Sequence, residues 1–131
     1  MASLILRLAF IPLVLAVALG CKPTEPLRID AIQLGRSLNP DNTVSKHSTL
    51  FKSNDTVYAS ILTPEAGSGN IGVRWMYQGR LVDEPTKSVS YKSAAATSFN
   101  LQNGNGLPPG DYSVQVLLDG EPVGTRSFHV Q

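Results

Sequence analysis

Few residues in this chain could do chemistry. They are one cysteine, Cys21, two well-separated histidines, His47 and His129, and ten scattered carboxylates. Acid–base or nucleophilic catalysis needs a base with a partner that orients it. His47 sits in a polar stretch, and His129 is opposite in phase to Phe128 near the C-terminus, so both read as solvated side chains. No G-x-S-x-G elbow and no H-E-x-x-H occurs, and no second cysteine exists to help hold zinc. Asp83 and Glu84 are adjacent, and adjacent side chains on a strand face opposite ways. Asp119 and Glu121 flank a hairpin tip, open to water, where neither carboxyl is desolvated enough to act as a general acid. Asp41, Asn42, Asn54 and Asp55 offer oxygens to calcium, but they lack the EF-hand spacing and suit turns. Gly104 and Gly106 lead into no helix that could offer its N-terminus to a phosphate. The expectation is a non-enzyme with no catalytic residue, no metal and no cofactor.

Cys21 remains, and its position gives it a role. Arg7 precedes an apolar run over residues 8–19, and small Gly20 stands before the cysteine. This is the layout of a secretory signal peptide over residues 1–20. A membrane span is the competing reading, and it needs ~20 apolar residues. The run here is interrupted by Pro12, ends at Cys21, and is followed by Lys22 rather than a positive cluster.

Ala18-Leu19-Gly20-Cys21 resembles the lipobox of bacterial lipoproteins. Gly20 and Cys21 fit it, whereas Ala18 and Leu19 carry residue types that the class usually places the other way round. The resemblance implies cleavage between Gly20 and Cys21, a thioether-linked diacylglycerol on Cys21 and an acyl chain on its new amine. The alternative is ordinary cleavage that leaves a free thiol. Each buried methylene contributes ~0.8 kcal/mol and stable anchoring takes two signals, so one diacylglycerol is sufficient. In the best-studied members of the class, aspartate after the cysteine retains the protein at the inner membrane. Lys22 thus favours the outer membrane if the host has two.

Removing residues 1–20 from 131 leaves 111, enough for one domain with a real core. Eleven Lys and Arg less Arg7 leave ten, against ten Asp and Glu, so nucleic acid has no electrostatic support as a partner. With one cysteine, no disulfide can form within the chain, and stability must come from packing. Eleven glycines and nine prolines, placed between apolar runs, favour many turns and an all-β fold.

Residues 21–26 form the lipidated cysteine and a short, proline-stiffened linker, which holds the domain, residues 27–131, close to the lipid. Residues 27–34 begin in strand phase and then shift, which predicts a bulge or a strand that changes sheets. Residues 39–42 and 53–55 read as turns, and Leu50 and Phe51 as packed on the edge of the fold. Strands follow at residues 56–63 (Val57, Ala59 and Ile61 on one face) and 70–77 (Ile71, Val73, Trp75 and Tyr77). Gln78-Gly79 turns into residues 80–83, and a short edge strand follows at 88–91. Further strands run over 95–101, 111–118 (Tyr112, Val114, Val116 and Leu118 in phase) and 122–130, the last two joined by an Asp119-Gly120 hairpin.

About seven short strands in roughly a hundred residues suit an immunoglobulin-like antiparallel β-sandwich. Residues 107–114, LPPGDYSV, resemble the L-P-P-G-x-Y-x-V lead-in to a late strand of bacterial immunoglobulin-like and fibronectin III-like modules. That resemblance implies that Tyr112 caps a corner by bonding to upstream backbone. Trp75 falls where such sandwiches carry a buried tryptophan, while the antibody disulfide is absent. The whole chain resembles small bacterial lipoproteins with one such domain. The expectation is a membrane-anchored envelope protein whose domain is a non-catalytic binding or structural module for another envelope protein. The alternative is a small-molecule or glycan binder that uses the aromatics Tyr58, Tyr77, Tyr91 or Trp75.

Overall fold

Alternation of apolar and polar side chains places one face of the central strands against a shared interior. The computed structural model describes residues 25–131. The expected signal peptide, Gly20 and Cys21 lie outside the described residues. Nine strands and no helix occur among them: β1 (Ala31–Gly35), β2 (Leu50–Phe51), β3 (Val57–Thr63), β4 (Gly67–Tyr77), β5 (Arg80–Asp83), β6 (Thr86–Tyr91), β7 (Ala95–Leu101), β8 (Gly110–Leu118) and β9 (Glu121–Val130).

The strands form two packed sheets. One has the order β1-β3-β7, and the other β2-β9-β8-β4-β5, with β6 paired to the first half of β4 on the same side as β5. This is the immunoglobulin-like sandwich that the strand count and spacing predict. All pairings between strands are antiparallel except β2 with β9, which is parallel. The expected edge strands at 80–83 and 88–91 are β5 and β6, the second starting two residues earlier, and β2 is the one strand that the sequence pattern reads only as edge packing. Pro85 divides β5 from β6: it has no N–H to donate, and its carbonyl accepts from the Val73 N–H at 3.0 Å.

The core fills the space between the sheets. Val57, Ala59 and Ile61 of β3 face Ile71, Val73 and Trp75 of β4 and Val114 and Val116 of β8, all essentially without solvent exposure. Phe51, Phe128 and Val130 close it on the β2–β9 side. Every buried core residue described lies between Leu27 and Val130.

The phase shift in residues 27–34 has a physical cause. Pro26 bridges to Ser68 of β4 in the larger sheet, and Ala31 then pairs with Leu62 in the smaller one, so the chain changes sheets. The Ser68 N–H donates to the Glu25 carbonyl at 3.0 Å. The segment read as linker therefore contributes its last two residues to the sandwich. Loop 36–46 folds back over the outer face of the smaller sheet. It buries Val44 and supplies the Asn42 carbonyl to the Ser60 hydroxyl at 2.6 Å. Gly35 permits this approach: a Cβ there would lie 2.2 Å from the Lys46 carbonyl oxygen.

Candidate binding surface

Five aromatic residues, Phe51, Trp75, Tyr77, Tyr112 and Phe128, gather towards one end of the sandwich, because β4, β8 and β9 each place at least one there in the inward phase. Tyr77 pairs with Tyr112, and Tyr112 with Phe128, across adjacent strands. The Tyr112 and Phe128 rings stack at 5.1 Å, and Tyr77 and Tyr112 lie 4.6 Å apart. Trp75 and Phe51 meet Phe128 edge-on at 6.1 and 5.4 Å. Edge-to-face and offset contacts of this kind suit the aromatic quadrupole.

Two phenols fix the adjoining loop. The Tyr112 hydroxyl donates to the Pro108 carbonyl at 2.7 Å, and the Tyr77 hydroxyl to the Pro109 carbonyl at 2.8 Å. The corner expected of Tyr112 is thus formed, and Tyr77 doubles it. Burial, with the neighbouring Tyr77 adding to it, pushes the Tyr112 phenol above its ordinary value of 10.0, so at neutral pH it remains a donor. Its raised value contributes stability that is fully present below about pH 10 and is lost as pH rises through the folded-state value. Tyr112→Phe should cost about 1 kcal/mol at neutral pH, the worth of one hydrogen bond. The gap to the wild type should narrow above pH 10, as read from urea unfolding at a series of pH values. A constant gap across that range would refute this assignment of the phenol.

Beside this corner lies a crevice of about 180 Å³, lined chiefly by Tyr77, Val82, Leu101, Leu107, Pro108 and Tyr112. Its outer wall is the edge strand β5. The turn before β5 places Gln78 and Gly79 at positive φ, 48° and 78°, as a tight hairpin requires. A bulge opposite the step from Trp75 to Met76 then shifts the register. The hairpin register pairs Leu81 with outward-facing Met76, and the bulge sets Asp83 rather than Val82 opposite Trp75, so that Val82 lines the crevice. Both are about half exposed, at 52% and 50%. An edge strand presents backbone groups that a further strand can pair with, and apolar side chains on it add contact area.

The residues weighed for chemistry are placed as follows. Trp75 is fully buried, and its indole N–H has no protein partner among the described residues. Tyr91 bonds to Thr97 at 2.7 Å, and Tyr58 is half-buried on β3. Asp83 accepts from the Glu84 N–H at 2.9 Å, and Glu84 pairs with Arg74 at 3.5 Å, so these carboxylates do not converge. Asp119 accepts from the Asn70 N–H at 2.8 Å, and Glu121 is exposed. Asp41 accepts from the Thr43 hydroxyl and N–H at 2.6 and 3.0 Å, bonds that hold its carboxyl below its ordinary value. Asp55 accepts from the Lys52 N–H at 2.7 Å. These oxygens shape turns, and among the described residues no three His, Cys, Asp or Glu are grouped to hold a metal.

His47 is exposed, bridging to Gly35. His129 has a partner that the sequence does not reveal: its Nδ1 lies 2.8 Å from Asp111 Oδ1 on the outer face of the larger sheet. The turn at Asp119-Gly120 aligns Leu118 with Glu121, a register that would set Asp111 opposite Phe128. A bulge between Val116 and Leu117 advances it by one residue and sets Asp111 opposite His129. The Asp111 side chain is 89% exposed, so the pair is a surface contact of small energetic worth.

No family model matches the chain, and no curated protein matches it in sequence. Among solved structures it is similar to an immunoglobulin-like protein from Pseudomonas aeruginosa, with a TM-score of 0.58 at 13% identity, over 83% of this chain and 99% of that one. It is also similar to part of the alkylpurine DNA glycosylase AlkC from Pseudomonas fluorescens, with a TM-score of 0.48 at 12% identity, over 82% of this chain and 31% of that one. A β-glucosidase from Listeria innocua gives 0.48 at 13%, over 79% of this chain and 16% of that one. The first likeness shows the fold; the other two carry no argument.

Proposed function

We propose that this is a lipid-anchored protein of a bacterial cell envelope, held by acyl chains on Cys21, whose immunoglobulin-like domain is a non-catalytic module that binds another envelope protein. The observation that carries the binding role is the edge strand β5, with Leu81 and Val82 half exposed beside an apolar crevice. Strand addition along β5, with one apolar side chain seated in the crevice, uses both features. Position supports the anchor: Cys21 follows an apolar run and Gly20, and the chain holds no other cysteine to bond it. Lys22 favours the outer membrane of a two-membrane host. A glycan platform needs a ring that stands free, and every aromatic among the described residues is buried or half-buried. The glycan and small-molecule alternative therefore has no comparable observation behind it.

A photo-crosslinking side chain in place of Val82 should capture a single protein in the intact envelope, identified by mass spectrometry, and one in place of Ser45 should not. In a second strain the crosslinker would replace Arg80, with Leu81→Lys and Val82→Lys combined. The adduct obtained from position 80 alone should then disappear, while stability changes by no more than about 0.5 kcal/mol, as for other exposed sites. Equal capture from positions 82 and 45, or an adduct indifferent to the two lysines, would remove β5 as the contact.

A further inference from the structure

We infer that the sandwich stands on the lipid surface by one specific end, formed by loops 64–66, 92–94 and 119–120, and presents β5 and its crevice away from the membrane. The inference rests on the reading of Cys21 as the anchor, and it names the surface that anchor brings to the lipid.

The argument begins with where the chain becomes fixed. Glu25 accepts from the Ser68 N–H, Pro26 bridges to Ser68, and the Leu27 N–H donates to the Ser68 carbonyl at 3.4 Å. The Leu27 side chain is 4% exposed and anchors this segment in the core. Residues 25–27 are therefore part of the sheet rather than a hinge. Four Cα steps separate Cys21 from Glu25, which span at most ~14 Å at ~3.6 Å each.

The point of attachment lies at an end of the sandwich. Ser68 is the second residue of β4. The loop 64–66 leads into that strand, Gly67 pairs with Tyr91 just before loop 92–94, and the Asp119 N–H donates to the Asn70 carbonyl at 2.8 Å. All three loops thus lie at the end of the sheet where Glu25 and Pro26 are fixed to Ser68. The opposite end carries the Gln78-Gly79 turn, loop 102–109 and β5. Nine residues of β4 separate Ser68 from Tyr77, about 30 Å at ~3.3 Å per residue. The tether is about half that length, so the far end is held away whenever the near loops meet the surface. Those loops are short and polar. Arg28 and Glu65 pair there at 3.4 Å, and Lys92 and Asp119 add one charge of each sign, which suits rest on headgroups rather than insertion.

The test uses residues 21–131, which contain the whole described core, with Cys21 coupled through its thiol to a maleimide phospholipid in phosphatidylcholine vesicles. A donor dye is attached through an azide-bearing side chain in place of Ser93 or of Asn105, both exposed. A fraction of acceptor-labelled lipid then reports height above the bilayer. Energy transfer from position 93 should be severalfold greater than from position 105. Equal transfer, or more from 105, would overturn the inference. Because the coupling is chemical, that result is independent of whether cells acylate Cys21; failure of the anchor itself would appear as missing acyl mass on the native protein.

Discussion

The Cys21→Ser variant is expected to take up no labelled fatty acid and to lose stable membrane association. The size of the effect follows from the anchor. Two acyl chains bury many methylenes at ~0.8 kcal/mol each, whereas a serine hydroxyl offers no thioether to carry them. Residues 8–19 are too few to cross the ~30 Å hydrocarbon layer as a helix, and Pro12 interrupts them. Metabolic labelling followed by fractionation under alkaline wash reads both consequences. A Cys21→Ser protein that stays with the membrane through the wash would sink the lipoprotein reading and revive a signal anchor.

The Trp75→Ala variant is expected to lose about 3–5 kcal/mol of stability, the range for deleting a large buried ring. Domains of this size are stable by only about 5–15 kcal/mol in total, so the variant should be marginal or unfolded. Trp75 is fully buried, sits near the end of β4 between Val73 and Tyr77 on the inward face, and meets Phe128 edge-on at 6.1 Å. Trp75→Phe should be milder. It retains a ring against Phe128 and removes an N–H that has no partner among the described residues, a group whose burial itself costs about 1–3 kcal/mol. Urea unfolding followed by circular dichroism gives both values, with Leu81→Ala as an exposed control expected within about 0.5 kcal/mol. A Trp75→Ala cost near that of the control would mean that the aromatic cluster is not what holds this end together.

Trp75 also shows why much of the fold was legible in the sequence. Side-chain phase is local, and so the inward sets of β3, β4, β8 and the end of β9 could be read off alternation. The Tyr112 corner was legible because eight consecutive residues specify it. What escaped was set by register and by contacts between distant segments. Alternation puts Ser60 outward, yet it is fully buried because loop 36–46 lies over it and Asn42 accepts its hydroxyl. The Asp111–His129 pair depends on a bulge of one residue at Val123 of β9; Pro122 and Gly124 flank that residue, yet the sequence of β8 does not say which side chain the shift brings opposite Asp111. The crevice behind β5 needs a second bulge opposite Trp75 and Met76, together with a loop latched by two tyrosines. Composition alone reads Glu25 and Pro26 as linker, because the hydrogen bond to the Glu25 carbonyl and the bridge at Pro26 both involve a residue more than forty positions away, Ser68.

The proposed anchor joins the sequence, the inferred orientation of the sandwich and the exposure of β5 into one account, and the intact mass of the native protein tests it most directly. Protein extracted from its own membrane should give the mass of residues 21–131 plus a diacylglyceryl group, with or without a further acyl chain, and fragmentation should place the added mass on Cys21. A chain that retains residues 1–20, or that begins at Cys21 with an unmodified thiol, would contradict the account.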